Sequence, residues 1–427
     1  MLERLFKLKA NQTTVANELL AGITTFLMVI YTVVVSPSVL ASAGMDFNSV
    51  FVATCIVAAI GSTLMGITTN YPAIISANVS ISAYFAFTVV MATGISWQAA
   101  LGAVFIAGIL FLLAGSSNFS VWLIQEIPAS LRVSISAGVG VFMMLIALKD
   151  ADIIAIHPAT LLTLGDITQP KSILVFLGFI IITTLEYHRV PGAIIIGIFV
   201  ITLLSFLLDL QHLNVEFKHS ENMLNGLMSM DMNNILPSTL IAVSIVFFIS
   251  HLFNSAGGFI SVLSQLEPER HHNKLLKRGF LVNAWMMLIG ALSGSANSVI
   301  AAESALGAKV GGKTGLTAVT VGLLFLGSIW LAPFVASIPR YAIAPALCYL
   351  AILMIRGLGD INWQDVTEAV PAVVTALTMG FTASIVDGIA FGCIVHTIVK
   401  LFTVKYEDLS LPVVLIIALW ILKFLVT

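Results

Sequence analysis

Long apolar runs, separated by short polar stretches, occupy almost the whole chain. Most of them approach the ~20 residues that a helix needs to cross the hydrocarbon core of a bilayer. They lack the apolar–polar alternation that marks the strands of a membrane β-barrel. The pattern therefore predicts an all-α polytopic membrane protein, with uninterrupted spans over residues 19–40, 50–67, 98–114, 132–149, 172–186, 191–208, 238–263, 280–292, 316–331, 342–355, 371–382 and 387–402.

Two further segments fall where spans are expected but are interrupted by small polar residues. Residues 293–308 read SGSANSVIAAESALGA, and residues 68–87 read TTNYPAIISANVSISAYFAF, so the triplet SAN occurs in both. Small side chains permit close backbone approach, and Ser, Asn and Glu supply hydrogen bonds that lipid cannot. We predict half-helices over residues 80–93 and 301–308, as the third and tenth of about 14 spans. Paired interruptions of this kind point to the binding site of a transporter.

The two halves of the chain share further short likenesses in the same order. Ile-Pro occurs at 127–128 and 338–339, and VPGAIIIG at 190–197 resembles VDGIAFG at 386–392. Because seven spans in each half is an odd number, the second half must insert upside down relative to the first. This predicts two inverted repeats, at residues 1–208 and 238–403, joined by a polar loop at 209–237 and followed by a C-terminal apolar segment at 404–427.

Composition supports this class and narrows the partners. The chain of 427 residues is 59% hydrophobic and 9% charged, whereas soluble domains are about one quarter charged. Its net charge of −2 predicts no nucleic-acid partner. The loop at 265–279 is the most basic in the chain, so we place it and the N-terminus on the cytoplasmic side of the cell membrane. Three cysteines lie in apolar runs, as packing residues do: Cys55, Cys348 and Cys393.

Glu303 is the strongest candidate for a functional side chain. A carboxylate within an apolar span costs roughly 2.5–3.5 kcal/mol to insert, so it normally faces a cavity or a partner. Its position early in the predicted half-helix favours negative charge through the helix dipole. We therefore expect Glu303 to accept N–H donors from a substrate and to exchange a coupling proton. The alternative is a structural carboxylate paired with Lys309, Lys313 or Arg340.

His251 and Asn254 form a second candidate pair, because residues three apart share one face of a helix. The Asn254 amide both donates and accepts hydrogen bonds, so it matches the edge of a planar heterocycle. His251 titrates near neutral pH, which suits a coupling proton. The alternative is that both side chains make only the interhelical contacts that are common in membrane bundles.

Polar side chains of both interrupted segments are predicted to frame the ligand: Asn78, Ser80 and Ser82 in the first, Asn297 and Ser298 in the second. The alternative is that they satisfy only the backbone groups that a broken helix leaves open. Tyr84 and its neighbour Phe85 are candidates for stacking on an aromatic ligand, although membrane aromatics often serve packing alone.

No catalytic or cofactor motif accompanies these residues. The Walker, GxSxG and HExxH patterns are absent from the sequence. His271 and His272 lie in a charged loop, where solvation explains them better than metal binding does. We therefore expect no enzyme activity, no metal and no cofactor.

Several stretches resemble the nucleobase–cation symporter-2 superfamily, in its azaguanine / hypoxanthine–guanine permease branch. They include NELLAGITTFLMVIYTVVVSPSVLASAGMD at 17–46, LRVSISAGVGVFMMLIALKDADI at 131–153, ESALGAKVGGKTGLTA at 303–318 and DVTEAVPAVVTALTMGFTASIVDGIAFG at 365–392. The resemblance implies fourteen spans in two inverted repeats of seven, divided into a core and a gate domain. It also implies proton-driven purine uptake, with Glu303 matching the acid of the family's tenth span.

Two motifs depart from that branch. Its eighth span usually reads D-x-F-D-T-x-G-T, whereas residues 251–258 read HLFNSAGG, so His251 and Asn254 replace both acids. Its third segment usually reads A-P-G-M-G-L-N-A-Y-F, whereas residues 76–85 read SANVSISAYF. The scaffold is retained while the expected pocket differs, which leaves the substrate and the proton stoichiometry open.

The combined prediction is a secondary active transporter for purine nucleobases such as hypoxanthine, guanine or adenine, coupled to protons and working by alternating access. Glu303 and Asn254 would hold the base from opposing elements, and Glu303 or His251 would carry the proton. Two alternatives stay open. One is transport of another small heterocycle or of an anion, which the less acidic eighth span favours, and the other is a membrane sensor that binds without transport. A homodimer is compatible with each of these readings.

Overall fold

The computed structural model describes residues 2–116, 129–157, 161–210, 226, 228–231, 238–263, 265–266, 272–382, 385–403, 413–414 and 417. Helices dominate them: α1 Leu2–Phe6, α2 Val15–Val29, α3 Thr32–Ala41, α4 Phe47–Thr69, α5 Val79–Ala83, α6 Trp97–Ser116, α7 Ala129–Asp150, α8 Pro170–Tyr187, α9 Ala193–Leu207, α10 Ser238–Leu263, α11 His272–Ser293, α12 Ser304–Lys309, α13 Gly315–Ser328, α14 Ala332–Ala336, α15 Arg340–Arg356, α16 Val366–Thr382 and α17 Ile385–Phe402. A π-helical stretch, Tyr84–Met91, continues α5, and 3-10 turns occupy Ile329–Leu331 and Gly357–Asp360. The strands of the described residues are β1 Ile75–Ser76, β2 Ile154–His157, β3 Leu161–Leu164 and β4 Val299–Ile300.

The helices confirm the predicted class and the order of the spans. Within the described residues, seven helical stretches have the length and hydropathy needed to cross a membrane: Val15–Ala41, Phe47–Thr69, Trp97–Ser116, Pro170–Tyr187, Leu240–Phe259, Leu275–Ser293 and Arg340–Asp360. The remaining predicted spans are shorter apolar helices, and the third and tenth are interrupted as predicted. The loop at 209–237 and the segment at 404–427 fall almost wholly outside the described residues, and Ile127-Pro128 falls outside them too. The proposed repeat boundaries therefore stay predictions.

The segment between α7 and α8 contains a β-hairpin that the span pattern did not predict. β2 and β3 pair antiparallel, with Ile154 opposite Leu164 and His157 opposite Leu161. Each strand has only four residues. A run so short carries too little periodicity to separate a strand from a loop by sequence pattern.

The chain divides into two compact units, each assembled from two separate stretches. Met1–Ile124 and Phe217–Ala336 form the first unit, and Gln125–Glu216 and Ser337–Thr427 form the second. Each unit therefore takes elements from both halves of the sequence.

In the first unit, α4 packs along α13, and two glycines bring their backbones together. A Cβ atom on Gly315 would overlap the carbonyl oxygen of Gly66, and a Cβ atom on Gly66 would overlap that of Gly315. Buried side chains continue the interface along the two helices: Phe51, Cys55 and Ala58 from α4, and Ala318, Val321 and Phe325 from α13. The absence of two side chains thus sets the distance between these helices.

A buried carboxylate joins α2 to the N-terminus of α13. Glu18 has no exposed surface, and its oxygens accept hydrogen bonds from the amides of Lys313 (2.9 Å) and Thr314 (3.2 Å) and from Thr317 Oγ1 (2.6 Å). These donors belong to the first turn of α13 or directly precede it, where amides have no partner within the helix. Glu18 is therefore committed to capping α13, which explains a buried acid without a transport role.

The second unit contains a buried ion pair between α16 and α17. Lys400 is 1% exposed, and its Nζ lies 2.6 Å from Oε1 of the partly buried Glu368. The other carboxylate oxygen accepts a hydrogen bond from the Ser130 hydroxyl of α7. One carboxylate therefore links three helices of this unit.

Replacing Gly315 with alanine should destabilise the first unit, because a methyl group has no room beside the Gly66 carbonyl. Overpacking of this kind costs about 1–3 kcal/mol. We expect detergent-solubilised Gly315→Ala protein to melt at a lower temperature than wild type. Gly327→Ala is the matched control, because a Cβ atom at that position of the same helix meets no atom within 4 Å. Equal melting temperatures for wild type and Gly315→Ala would contradict the close helix contact.

Replacing Lys400 with methionine should destabilise the protein strongly, because it leaves the Glu368 carboxylate charged and unpaired. Breaking one partner of a buried pair typically costs about 3–5 kcal/mol. The double variant Lys400→Met/Glu368→Gln removes both charges, so it should recover most of the lost thermal stability in the same melting assay. A double variant that melts no higher than Lys400→Met would show that the ion pair is not the source of the effect.

Candidate functional site

The two interrupted segments meet, as the sequence predicts, through a two-stranded sheet within the first unit. β1 and β4 pair antiparallel, with Ile75 opposite Ile300. Beyond the strands, the amide of Ala301 donates to the carbonyl of Ile74 at 3.0 Å, and the Ile74 amide donates to Ser304 Oγ at 3.1 Å. The backbone groups left open by the broken helices are thereby satisfied inside the protein, as the membrane interior requires.

The two segments correspond to each other with an offset that differs from the one the SAN triplets suggest. β4 begins 224 residues after β1, and α12 begins 225 residues after α5. The residue that precedes each half-helix is therefore Asn78 in one repeat and Glu303 in the other. The triplets, which are 219 residues apart, do not occupy equivalent places. They face each other instead, and the Asn78 amide N–H donates to Asn297 Oδ1 at 2.7 Å.

Asn78 caps the first half-helix. Its Oδ1 accepts hydrogen bonds from the amides of Ser80 (3.0 Å) and Ile81 (3.2 Å), and from the Ser80 hydroxyl. This is the bonding that makes asparagine one of the preferred N-cap residues. The Asn78 side chain is half-buried, whereas Ser80 is buried. Ser80 therefore serves the cap in this structure, and its predicted contact with a ligand stays a prediction.

Glu303 directly precedes α12 and makes no capping bond with its side chain. Its carboxylate is half-buried and accepts a hydrogen bond of 2.9 Å from the hydroxyl of Tyr31, which lies between α2 and α3. Neither Lys309 nor Lys313 forms an ion pair with Glu303 in the part of the chain that the structure describes, and Arg340 belongs to the second unit. The tyrosine hydroxyl, not a lysine, is the partner of this acid.

The eighth span, α10, brings Asn254 to the cap of the first half-helix. Asn254 is exposed, its Oδ1 accepts from Asn78 Nδ2 at 3.2 Å, and its Nδ2 donates to the carbonyl of Ser250 at 2.8 Å. One turn further on, a Cβ atom at Gly258 would overlap the carbonyl oxygen of Ile300 in β4. The glycine lets α10 reach the strand pair, and this approach places Asn254 beside Asn78.

His251 lies on the same helix but is fully buried. Its Nδ1 is 2.8 Å from the carbonyl oxygen of Phe247, which can only accept, so Nδ1 carries the proton. Its Nε2 has no hydrogen-bond partner among the described residues. The two predicted neighbours therefore differ sharply, because Asn254 is accessible and His251 is enclosed.

The remaining predicted residues are buried in the first unit. Asn297 accepts from Asn78 and donates from Nδ2 to the Ser82 hydroxyl, so it serves the junction between the segments. Ser298 is 1% exposed, and its hydroxyl has no partner within the described residues. Tyr84 is 2% exposed and packs edge-on against Phe247, with ring centroids 4.9 Å apart. Direct ligand contacts of these three stay predictions.

Three polar side chains thus remain accessible around the strand pair: Asn78, Asn254 and Glu303. Together they offer a carboxylate that accepts hydrogen bonds and a carboxamide edge that both donates and accepts. This arrangement suits a small, neutral, planar ligand with N–H groups and ring nitrogens. Tyr31, which holds the carboxylate, was missed by sequence reasoning, and its signal was a hydroxyl in the middle of the apolar run at 19–40.

Comparisons with known proteins agree with this geometry. A family profile described as "Permease family" (Xan_ur_permease) matches residues 16–391. The adenine permease AdeP of Escherichia coli (strain K12) is 40% identical over 99% of this chain and 96% of its own length. The guanine/hypoxanthine permease PbuO of Bacillus subtilis (strain 168) is 34% identical over 97% of this chain and 98% of its own length.

A solved structure shows the same fold at much lower sequence identity. The transmembrane domain of a cyanobacterium bicarbonate transporter, BicA, superposes with a TM-score of 0.64 at 13% identity, covering 88% of this chain and 97% of that domain. The likeness extends to the division into two inverted repeats with core and gate domains. With the interrupted third and tenth spans and the match along residues 16–391, the chain belongs to the nucleobase–cation symporter-2 family of membrane permeases.

Proposed function

We propose that this protein is a secondary active transporter of purine nucleobases in the cell membrane, with its N-terminus in the cytoplasm. The observation that carries the proposal is the accessible carboxamide of Asn254 and the accessible carboxylate of Glu303 beside the paired half-helices. Membership of the permease family supports transport as the activity, and alternating access as its mechanism. The names of two relatives, an adenine permease and a guanine/hypoxanthine permease, support purine bases as the substrate class.

The charge of the site favours a neutral base over the small anion that the sequence left open. A purine presents N–H donors and ring nitrogens around its rim, so Glu303 can accept an N–H while Asn254 pairs with an edge that both donates and accepts. An anion would instead meet the Glu303 carboxylate as a like charge. The other buried acid of this unit, Glu18, is already occupied by three donors and takes no part in this choice.

Glu303 is also the proposed carrier of the coupling proton. A proton carrier must exchange protons with water, and the Glu303 carboxylate is half-buried whereas the His251 ring is fully enclosed. Glu303 also meets the substrate directly in this proposal, so its protonation and base binding are coupled at one group. His251 is the second candidate, through Nε2, because Nδ1 is engaged with the Phe247 carbonyl. A homodimer stays a prediction.

Uptake of radiolabelled adenine, hypoxanthine and guanine, in cells that lack their own purine permeases, tests this function. We expect accumulation that is saturable and abolished by a proton uncoupler. Glu303→Gln should abolish coupled uptake while leaving the protein folded in the membrane, because glutamine keeps the shape of the side chain but cannot exchange a proton. If no base accumulates although the protein is in the membrane, the substrate assignment is wrong. Saturable binding without accumulation would indicate a sensor.

Replacing Tyr31 with phenylalanine should weaken uptake without abolishing it. The change removes one hydrogen bond to a carboxylate, an interaction worth about 1.5–3 kcal/mol, and lets the Glu303 side chain rotate away from the base. We expect KM to rise about tenfold or more, which is the lower part of that range, with a smaller effect on the maximal rate.

Tyr341→Phe is the matched control for this experiment. It makes the same chemical change at a buried tyrosine of the second unit whose hydroxyl has no hydrogen-bond partner among the described residues. It should therefore transport like wild type. A Tyr31→Phe protein with the wild-type KM would show that Tyr31 does not position Glu303.

A further inference from the structure

We infer that Asn78 determines the preference between 6-amino and 6-oxo purines by fixing which way the Asn254 amide points. The inference rests on the proposed function, because it takes Asn254 as a side chain that contacts the base. It adds that Asn78, a helix cap, acts on substrate choice from one residue further away. The connection between the two is the hydrogen bond from Asn78 Nδ2 to Asn254 Oδ1.

The polarity of the Asn78 amide follows from the backbone around it. One end of the side chain lies within hydrogen-bond distance of two amide N–H groups, those of Ser80 and Ile81. Backbone N–H groups only donate, so the end that faces them must be the oxygen. The other end, which faces Asn254, is therefore the NH2 group, and it can only donate. The cap of α5 thus dictates what Asn78 shows to α10.

That donor in turn fixes the Asn254 amide. The atom of Asn254 that faces Asn78 must accept, so it is Oδ1, and Nδ2 then points to the Ser250 carbonyl, which also only accepts. Each of these contacts uses one N–H or one lone pair of an amide that has two of each. One N–H and one lone pair of Asn254 remain for a ligand, in a fixed order along the exposed edge.

A fixed order of donor and acceptor discriminates between purines in one orientation. Adenine presents the 6-amino donor beside an acceptor on both sides, N1 and N7, so a carboxamide with its oxygen toward position 6 pairs with either edge. Hypoxanthine and guanine present the 6-oxo acceptor beside the N1–H donor, which requires the opposite order. Their other edge shows two acceptors, N7 and O6, and matches neither order. The carboxamide of this chain therefore favours adenine.

An aspartate at position 78 would reverse the order. Aspartate caps helices as well as asparagine does, so the bonds to Ser80 and Ile81 are retained. A carboxylate facing Asn254 only accepts, and an unchanged Asn254 would set its oxygen against that charge. Turning the amide gives a charge-assisted hydrogen bond instead, roughly twice as strong as a neutral one. The Ser250 carbonyl loses little, because it still accepts the Asn254 backbone N–H within α10.

The experiment compares initial uptake rates of labelled adenine and hypoxanthine, each at a concentration well below KM, for wild type and Asn78→Asp in permease-deficient cells. We expect wild type to prefer adenine and the ratio of the two rates to fall at least tenfold in Asn78→Asp, with hypoxanthine uptake maintained or raised. A variant that loses both activities in proportion, and so keeps the wild-type ratio, overturns the inference.

Asn78→Ser provides a second, independent reading if the aspartate variant does not reach the membrane. Serine caps α5 but is too short to contact Asn254, so the amide is free to turn and the ratio should move at least fivefold toward unity without reversing. An unchanged ratio in Asn78→Ser overturns the inference as well. A merely structural role of Asn78 would lower both rates and leave their ratio unchanged.

Asn254→Ala separates this inference from the function on which it rests. If Asn254→Ala lowers adenine uptake but both Asn78 variants keep the wild-type ratio, Asn254 contacts the base and only the role of Asn78 is wrong. If Asn254→Ala transports both bases at wild-type rates, Asn254 is not in the site and the proposed pairing itself fails.

Discussion

The site depends on one constraint, which is that a helix broken inside a membrane must find partners for its open backbone groups within the protein. Lipid offers none, and each unsatisfied group costs several kcal/mol. The two breaks solve this problem for each other, because β1 and β4 share their hydrogen bonds and the Ser304 hydroxyl bridges the Ile74 amide and the Ala301 carbonyl. The requirement that the breaks pair is also what brings two segments more than two hundred residues apart to one place.

Small residues then decide what can approach that pair. Gly258 lets the backbone of α10 touch the carbonyl of Ile300, and Gly307 leaves room for Thr25 of α2 against α12. Larger side chains at these positions would push the first and eighth spans away. With the spans in place, Asn254 reaches Asn78, and Tyr31 reaches Glu303. Close packing and polar chemistry are therefore one arrangement, since the short contacts position the few side chains that can bind a ligand.

Much of this architecture is visible in the sequence because the membrane imposes simple rules on it. Run lengths near twenty apolar residues located the spans, and the small polar residues at 76–78 and 293–298 marked both breaks. The exact correspondence of the repeats was not predictable, because identical triplets drew attention to residues that face each other rather than to equivalent ones. Nor could the sequence separate His251 from Asn254. Their exposure depends on neighbours from distant segments, and helical spacing says only that they share a face.

The equivalence of Asn78 and Glu303 has a consequence for how a flat ligand is seated. An inverted repeat builds its centre around an approximate two-fold axis, and a perfectly symmetric centre would accept a planar molecule equally well in either of two poses. Such degeneracy would blur any distinction that depends on which atom of the ring meets which side chain. A neutral amide at one cap and an acid at the other remove the degeneracy, because the two ends of the centre no longer attract the same chemical groups. The scaffold keeps its symmetry while the ligand is given a single direction.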